Sequence, residues 1–279
     1  MEDSNKRLEW GKTTWKLLSE IRTQSPLIQC ITNFVSMDLM ANTLLSAGAS
    51  PAMVHSVEEI PDFTPRVSAL CINVGTLSPD SLPAMITAAK LCSQLDIPWV
   101  LDPVAVSASA FRFKACVQLV IFKPTVIRGN ASEIIALSSS YQSSASAAKG
   151  VDSTHDSMDA VEAAKLLAHI SGSIVAVSGA TDIVTDGYQV VGAHNGVPLM
   201  QKITATGCSV TALIAAFVAV DKSHALDAAV SALSVFGIAG ELGMKMAKGP
   251  ASLRMHLIDA LYGLDEATLQ SHVNITSLC

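Results

Sequence analysis

The chain alternates between short, nearly unbroken apolar runs and longer segments in which apolar residues recur every three to four positions. The first pattern marks buried strands and the second amphipathic helices. Residues 9–24 carry Trp10, Trp15, Leu17, Leu18 and Ile21 at roughly helical intervals, and Pro26 ends the segment. Residues 27–31 read as a strand, 37–47 as a helix closing at Gly48, and 51–54 as another short strand. Further strands are predicted at 68–74, ending at Gly75, and at 97–101, ending at Asp102 and Pro103. Two more are predicted at 117–122, ending at Lys123, Pro124 and Thr125, and at 173–177, ending at Ser178 and Gly179. Residues 80–95 form a helix. Apolar strands separated by helices predict an α/β fold, with a mainly parallel central sheet and helices on both faces.

After Ser178 the pattern changes. Ile183, Val184 and Thr185 lead through Asp186-Gly187 into Tyr188, Gln189, Val190 and Val191, a hairpin signal that predicts an antiparallel edge to the sheet. Residues 197–203 are strand-like, and 206–220 and 224–247 are long alanine-rich helices. The segment 138–157 is rich in Ser and Ala and weakly periodic, so it is expected to be a mobile surface loop rather than a site. No repeat or linker interrupts the pattern, and residues 1–279 are read as one domain.

Composition narrows the function. Half of the 279 residues are hydrophobic, 15% are charged, and the mean hydropathy is +0.42. This implies a large core, an oligomer interface, or both. A net charge of −6 supplies no basic surplus for nucleic acid or acidic membranes. Residues 203–220 lack charge, but Thr204, Thr206, Gly207, Cys208, Ser209 and Thr211 crowd the first half, which favours a buried helix over a membrane span. The opening Met1-Glu2-Asp3-Ser4 lacks the basic and apolar regions of a secretion signal, and a cytoplasmic protein is expected. The six cysteines form no C-x-x-C pair and are expected to be reduced, without zinc. The seven histidines are scattered, with only His55 placed to line a pocket. Neither a Walker A motif, a G-x-G-x-x-G turn nor a G-x-S-x-G elbow is present.

In an open parallel sheet, ligands bind beyond the carboxyl ends of the strands. Asn33, Asp102, the 128–133 segment and Ser178 fall at such ends, and residues 204–208 form a small turn into a long helix. That helix start could cradle phosphate through its free N–H groups, or Thr206 could simply cap it, with Gly207 shaping the turn. Cys208, in the first helical turn, is expected to have a lowered pKa and could accept a proton; alternatively it is a buried helix cysteine. Asp102 could hold Mg²⁺ through water or cap the turn before Pro103. Asn130 and Glu133 have the spacing of a capping box, while Glu133 could organise metal-bound water and Arg128 neutralise phosphate charge.

Taken in order, these segments resemble the hydroxyethylthiazole kinase family. The matching pieces are Ile31-Thr32-Asn33-Phe34-Val35, the stretch from Ala41 to Met53, Asn73-Val74-Gly75-Thr76-Leu77, and Leu101-Asp102-Pro103-Val104-Ala105. They continue with Arg128-Gly129-Asn130-Ala131-Ser132-Glu133-Ile134, Val177-Ser178-Gly179, Thr185-Asp186-Gly187 and Ala205-Thr206-Gly207-Cys208. The resemblance implies a ribokinase-like fold and a homotrimer with active sites between subunits. It implies ATP, Mg²⁺ and 4-methyl-5-(2-hydroxyethyl)thiazole as the acceptor alcohol. Met53 would touch the thiazole, with Asn33, Gly75 and Ala205 nearby. Arg128, Ser178, Thr206 and Gly207 would bind ATP, and Asp102 and Glu133 would serve the metal. Residues 205–208 would form the anion hole, with Cys208 as the base that assists the reaction. Two positions depart from the pattern: Ser178 stands where the family often has Thr, and Ala205 where many members have Gly. A different alcohol such as hydroxymethylpyrimidine, a silent ligand sensor and a structural oligomer are the competing readings.

Overall fold

The structure, a computed structural model, describes residues 2–141 and 156–278, and of residues 2–6 the backbone alone. Helix α1 (Glu2–Gln24) leads into β1 (Leu27–Ile31), α2 (Met37–Ala47), β2 (Ser50–Ala52), the short α3 (Ile60–Phe63), β3 (Ala69–Asn73), α4 (Leu82–Leu95) and β4 (Trp99–Asp102). Next come α5 (Ala110–Val120), β5 (Val126–Asn130), α6 (Ala131–Ser139), α7 (Val161–Ser171), β6 (Ile174–Ser178), β7 (Asp182–Thr185) and β8 (Val190–Ala193). The chain finishes with α8 (Thr206–Val220), α9 (Ala225–Met244), α10 (Pro250–Gly263), α11 (Glu266–His272) and β9 (Ile275–Ser277).

One sheet runs in the order β2-β1-β3-β4-β5-β6-β7-β8-β9. Strands β2 through β6 are parallel, and β7, β8 and β9 extend the sheet antiparallel. Alternation along each strand feeds two cores. Cys71 of β3 and Val100 of β4 face the layer that contains α1, α2, α8 and α9. Their neighbours Leu70, Ile72, Trp99 and Leu101 face the layer of α4, α5, α6 and α7. Helices α8 and α9 carry many small residues and pack closely on each other and on the sheet. The stretch Lys222–Met244 is long and apolar enough to cross a membrane, and here most of it is buried in the core.

Besides the unexpected β9, the structure departs from the sequence expectation at four places. Residues 117–122 do not form a strand: α5 runs to Val120 with Ala115, Cys116, Leu119 and Val120 buried at helical spacing. A short apolar run carries no periodicity that separates the two states, and Ser109 starts the helix by accepting from the Arg112 N–H at 3.2 Å. The strand is β5, whose Arg128 and Gly129 hid it from an apolar scan, so Arg128 lies within a strand rather than after one. Residues 198–202 wind into a 3₁₀ turn, entered at Pro198, where a strand was expected. Of the expected loop at 138–157, residues 138 and 139 end α6, and Ser157 is buried in a 3₁₀ turn with its hydroxyl donated to Thr181 O at 2.6 Å. Residues 142–155 lie outside the described residues. Cys30, Cys71, Cys92 and Cys116 are free and buried, and Cys208 is free and half-buried.

Candidate active site

Because β1, β3, β4, β5 and β6 are parallel, their carboxyl ends share one edge of the sheet, and antiparallel β7 starts there. Each contributes a polar side chain at or near that edge: Asn33, Asn73, Asp102, Arg128, Ser178 and Asp182. Register aligns them, with Asn73 opposite Asp102 and Asn130 opposite Ser178.

Hydrogen bonds link Asn33, Asn73 and Asp102 on one side and Arg128 and Ser178 on the other, and an ion pair bridges the two sets. Asn33 Nδ2 donates to Asn73 Oδ1 at 2.8 Å and to Cys208 Sγ at 3.4 Å. Asn73 Oδ1 also accepts the Gly75 N–H at 2.9 Å, and Asn73 Nδ2 donates to Asp102 Oδ2 at 2.7 Å. Thr211 Oγ1, on α8, donates to the same Asp102 oxygen at 2.9 Å. Arg128 Nη1 lies 3.9 Å from Asp102 Oδ2, while Arg128 Nε and Nη2 donate to Ser178 Oγ at 2.9 and 2.7 Å. Two glycines make these approaches possible. A Cβ on Gly75 would lie 2.9 Å from both Cβ and Nδ2 of Asn33, and one on Gly207 would lie 2.9 Å from Arg128 Nη1.

Asp102 is fully buried, and its Oδ1 has no hydrogen-bond partner. Burial raises its pKa to about 6; Arg128 opposes that shift, Glu133 adds to it, and the hydrogen bonds from Thr211 and Asn73 oppose it. Glu133 makes the capping box its spacing implied. Its backbone N–H donates to Asn130 Oδ1 at 2.9 Å, and its Oε2 accepts the Asn130 N–H at 2.8 Å. Oε1 accepts the Ala105 N–H, also at 2.8 Å. Each Glu133 oxygen therefore keeps a lone pair beyond its backbone donor.

The turn into α8 differs from the simple cap. Ala205 occupies the N-cap position at φ +73°, and no side chain caps the helix. The Thr206 hydroxyl points back into the preceding turn, donating to Met200 O at 3.2 Å and Ile203 O at 3.1 Å. The first N–H groups of the helix are thus left for an anion. Beside them, a cavity of about 230 Å³ takes polar lining from Arg128, Ser178, Asp182 and Thr206. Its apolar lining comes from Val197, Val210, Leu233 and Phe236.

The expected lowering of the Cys208 pKa is not found. Burial raises it, the Asp102 charge raises it further, and the Asn33 bond and Arg128 only partly oppose the shift. Desolvation is the largest cause and the net shift is upward, so the neutral thiol is the form present near neutral pH.

Of the residues singled out from sequence, Asn33, Gly75, Asp102, Arg128, Ser178, Gly207 and Cys208 belong to this network or pack against it, and Glu133 and Thr206 flank it. Met53 lies half-buried just beyond β2 and takes no part in the hydrogen bonding. His55 lines no described cavity; its Nε2 accepts the Thr32 N–H at 3.0 Å and so steadies the loop after β1. Asn73, Thr211 and Asp182 were not singled out as site residues. Asn73 ends a predicted strand and could have been found by that position; Thr211 and Asp182 carry no sequence signal of their own.

A family model described as the hydroxyethylthiazole kinase family matches residues 18–267. A hydroxyethylthiazole kinase of Arabidopsis thaliana is 66% identical over 278 residues, covering 100% of both chains. That of Zea mays is 61% identical, covering 99% of this chain and 97% of its own. The solved structure of the hydroxyethylthiazole kinase protein from Pyrococcus horikoshii OT3 superposes with a TM-score of 0.87 at 34% identity, covering 96% of this chain and 99% of that one. A Bacillus subtilis pyridoxal kinase, 17% identical with a TM-score of 0.57 over 82% of this chain and 98% of its own, shares the fold. With the resemblance spanning nearly its whole length, the chain belongs to the hydroxyethylthiazole kinase family.

Proposed function

We propose that this chain transfers the γ-phosphoryl group of ATP to the hydroxyl of 4-methyl-5-(2-hydroxyethyl)thiazole, giving the phosphate ester used to make thiamin. One observation carries the reading at atomic level. An unbroken polar line links the uncapped start of α8 to a buried acid with a free oxygen, beside a cavity with an apolar wall. Phosphoryl transfer asks for electrostatic stabilisation of the transferred group and alignment of the acceptor more than for covalent chemistry.

In this reading the Gly207 and Cys208 N–H groups and the Arg128 guanidinium receive phosphate oxygens. The cavity beside Thr206 and Ser178 takes the nucleotide. Asn33, Gly75, Ala205 and Met53 border the thiazole. Cys208, a neutral thiol, orients the hydroxyl and assists its deprotonation rather than controlling it.

Asp102 and Glu133 fit a hydrated Mg²⁺. Both offer only oxygen, and the free Asp102 Oδ1 is a buried acceptor without a donor. When bound, the ion would neutralise charge on the phosphates.

A homotrimer with shared sites also fits this reading. Strand β2 leaves one sheet edge open, and Phe34, Val35, Leu45 and Val57 expose apolar surface near that end. We place the reaction in the cytoplasm.

The deciding experiment measures ATP-to-ADP conversion by purified protein with Mg²⁺ and the thiazole alcohol, with hydroxymethylpyrimidine as control. Thiazole-dependent ADP release is the expected result. A folded protein that binds ATP but turns over neither alcohol would overturn the assignment. Dilution to monomer should abolish turnover, and full activity in a proven monomer would refute shared sites.

A further inference from the structure

We propose that Arg112 is a positioning residue for phosphoryl transfer: through the Val74–Gly75 and Val104–Ala105 peptide groups, its guanidinium sets where the acids Asp102 and Glu133 stand. The argument begins with a charge in an unfavourable place. Arg112 is the third residue of α5, and a cation in the first turn of a helix opposes the helix dipole. Its half-buried side chain donates instead to carbonyl oxygens of two other loops. Nη1 donates to Val74 O, to Val104 O at 3.0 Å and to Gly75 O at 3.2 Å, and Nη2 donates to Gly75 O at 3.2 Å. Val74 and Gly75 follow β3, and Val104 follows β4, so one guanidinium ties together the loops beyond two paired strands.

Each of those loops passes the connection on to an acid. The Val74 carbonyl and the Gly75 N–H belong to one peptide group. Arg112 takes the carbonyl, Asn73 Oδ1 accepts the N–H at 2.9 Å, and Asn73 Nδ2 donates to Asp102 Oδ2 at 2.7 Å. The Val104 carbonyl and the Ala105 N–H likewise belong to one peptide group. Arg112 takes that carbonyl, and Glu133 Oε1 accepts that N–H at 2.8 Å. Glu133 therefore stands one peptide group from Arg112, and Asp102 one peptide group and one amide. A backbone N–H can only donate, so the direction of both routes is fixed.

The loops need this hold. Ala105 sits at φ +51°, a conformation that a residue with a Cβ keeps only where its surroundings impose it. Gly75 packs so tightly that a Cβ would lie 2.9 Å from Asn33. A cation on the oxygen of a peptide and an acceptor on its N–H polarise it in the same sense, so the two bonds strengthen each other. All four guanidinium bonds lie on the Gly75 and Glu133 side of the site, whereas Arg128 is held separately by Ser178.

This inference rests on the kinase reading, since it takes the two acids to serve the reacting phosphate and Gly75 to border the thiazole. The test compares Arg112→Lys, which keeps the charge but offers one nitrogen on a mobile stem, with Arg112→Met, which keeps the stem alone. The readouts are kinetics with ATP, Mg²⁺ and thiazole, calorimetric binding of ATP without divalent cation, and hydrogen exchange at the Gly75 and Ala105 amides. The kcat/KM for thiazole is expected to fall about tenfold in Arg112→Lys and about 100-fold in Arg112→Met. ATP affinity without cation should stay within about threefold of wild type, a difference of under 1 kcal/mol by the tenfold-per-1.4 kcal/mol conversion. Both amides should exchange at least about tenfold faster in either variant. Combining Arg112→Lys with Glu133→Gln should lower kcat no further than the worse single, because both act on one peptide group. Equal losses in ATP binding and thiazole kcat/KM, as a mere staple of α5 would give, would overturn the proposal. So would losses that multiply in the double variant, unchanged exchange, or wild-type kinetics. If Arg112→Met does not fold, Arg112→Lys carries each of these outcomes. A wild-type protein that binds ATP but phosphorylates no thiazole would fail the kinase reading, while the exchange rates still decide whether Arg112 holds the two peptides.

Discussion

Replacing Asp102 by Asn is predicted to make the protein more stable and much less active, with a stability gain that depends on pH. The Asp102 carboxyl is buried, and its pKa rises from 3.8 to about 6 on folding. The native state therefore binds more protons than the unfolded chain between about pH 4 and pH 6, and wild-type stability falls as pH rises through that window. About two pKa units correspond to ~3 kcal/mol lost above the window. Asparagine removes this cost and can keep its carbonyl oxygen where Asn73 and Thr211 donate. The attraction of Arg128 at 3.9 Å and the bonds from Thr211 and Asn73 are already contained in that net shift. A stabilisation approaching ~3 kcal/mol is therefore expected above the window, raising Tm by roughly 5–10 °C for a chain of this size. The assay is thermal unfolding of both proteins without divalent cation, stepped across this pH range. Every other titratable group is shared, so the difference in Tm reports Asp102 together with its coupling to the neighbouring Arg128, Glu133 and Cys208. That difference should be near zero at the acid end and reach its plateau above the upper pKa. A variant less stable than wild type at neutral pH, or a difference that does not change with pH, would refute the reasoning.

Three further outcomes are expected. Cys208→Ala should retain measurable turnover, with a loss below about 100-fold, because a thiol whose pKa is raised contributes little as a base; complete loss of ADP release in a folded variant would contradict this. Gly75→Ala places a methyl 2.9 Å from Asn33 and 3.0 Å from Asn73 Oδ1, so stability should drop by about 1–3 kcal/mol in thermal melts. Turnover should fall with it, and an unchanged melt would show that the Asn33–Asn73 pair is not tightly held. Ala205→Gly relieves the left-handed backbone at φ +73° and should stabilise the chain by about 1 kcal/mol in denaturant unfolding; a lower midpoint would mean that the methyl packs usefully.

Local pattern determined much of this protein. The apolar runs marked β1, β3, β4 and β6, because strands covered on both faces need little else. Gly48 closed α2 in the left-handed conformation that a helix end favours. The Asn130–Glu133 spacing was a capping box, and the ordered motifs from Asn33 to Cys208 placed the chain in its family. What failed was the choice between helix and strand at 117–122, a run too short to show a period, and β5, whose polar Arg128 is there for the site rather than for the core. The carboxyl-terminal strand β9 was missed because Ile275–Ser277 becomes a strand only by pairing with β8.

Only the tertiary structure decided which groups act together. Asn73 and Asp102 are far apart in the chain and become neighbours because β3 pairs with β4. Thr211 joins them because α8 packs across both strands. The sign of the Cys208 shift was likewise beyond a local reading. A helix start by itself would pull a thiol pKa down, whereas here burial and the charge of an acid brought in from another strand push it up, against only partial opposition from Asn33 and Arg128. Sequence lays down the periodicity, the caps and the residue types; proximity across the sheet edge, and the loss of water that comes with it, sets their chemistry.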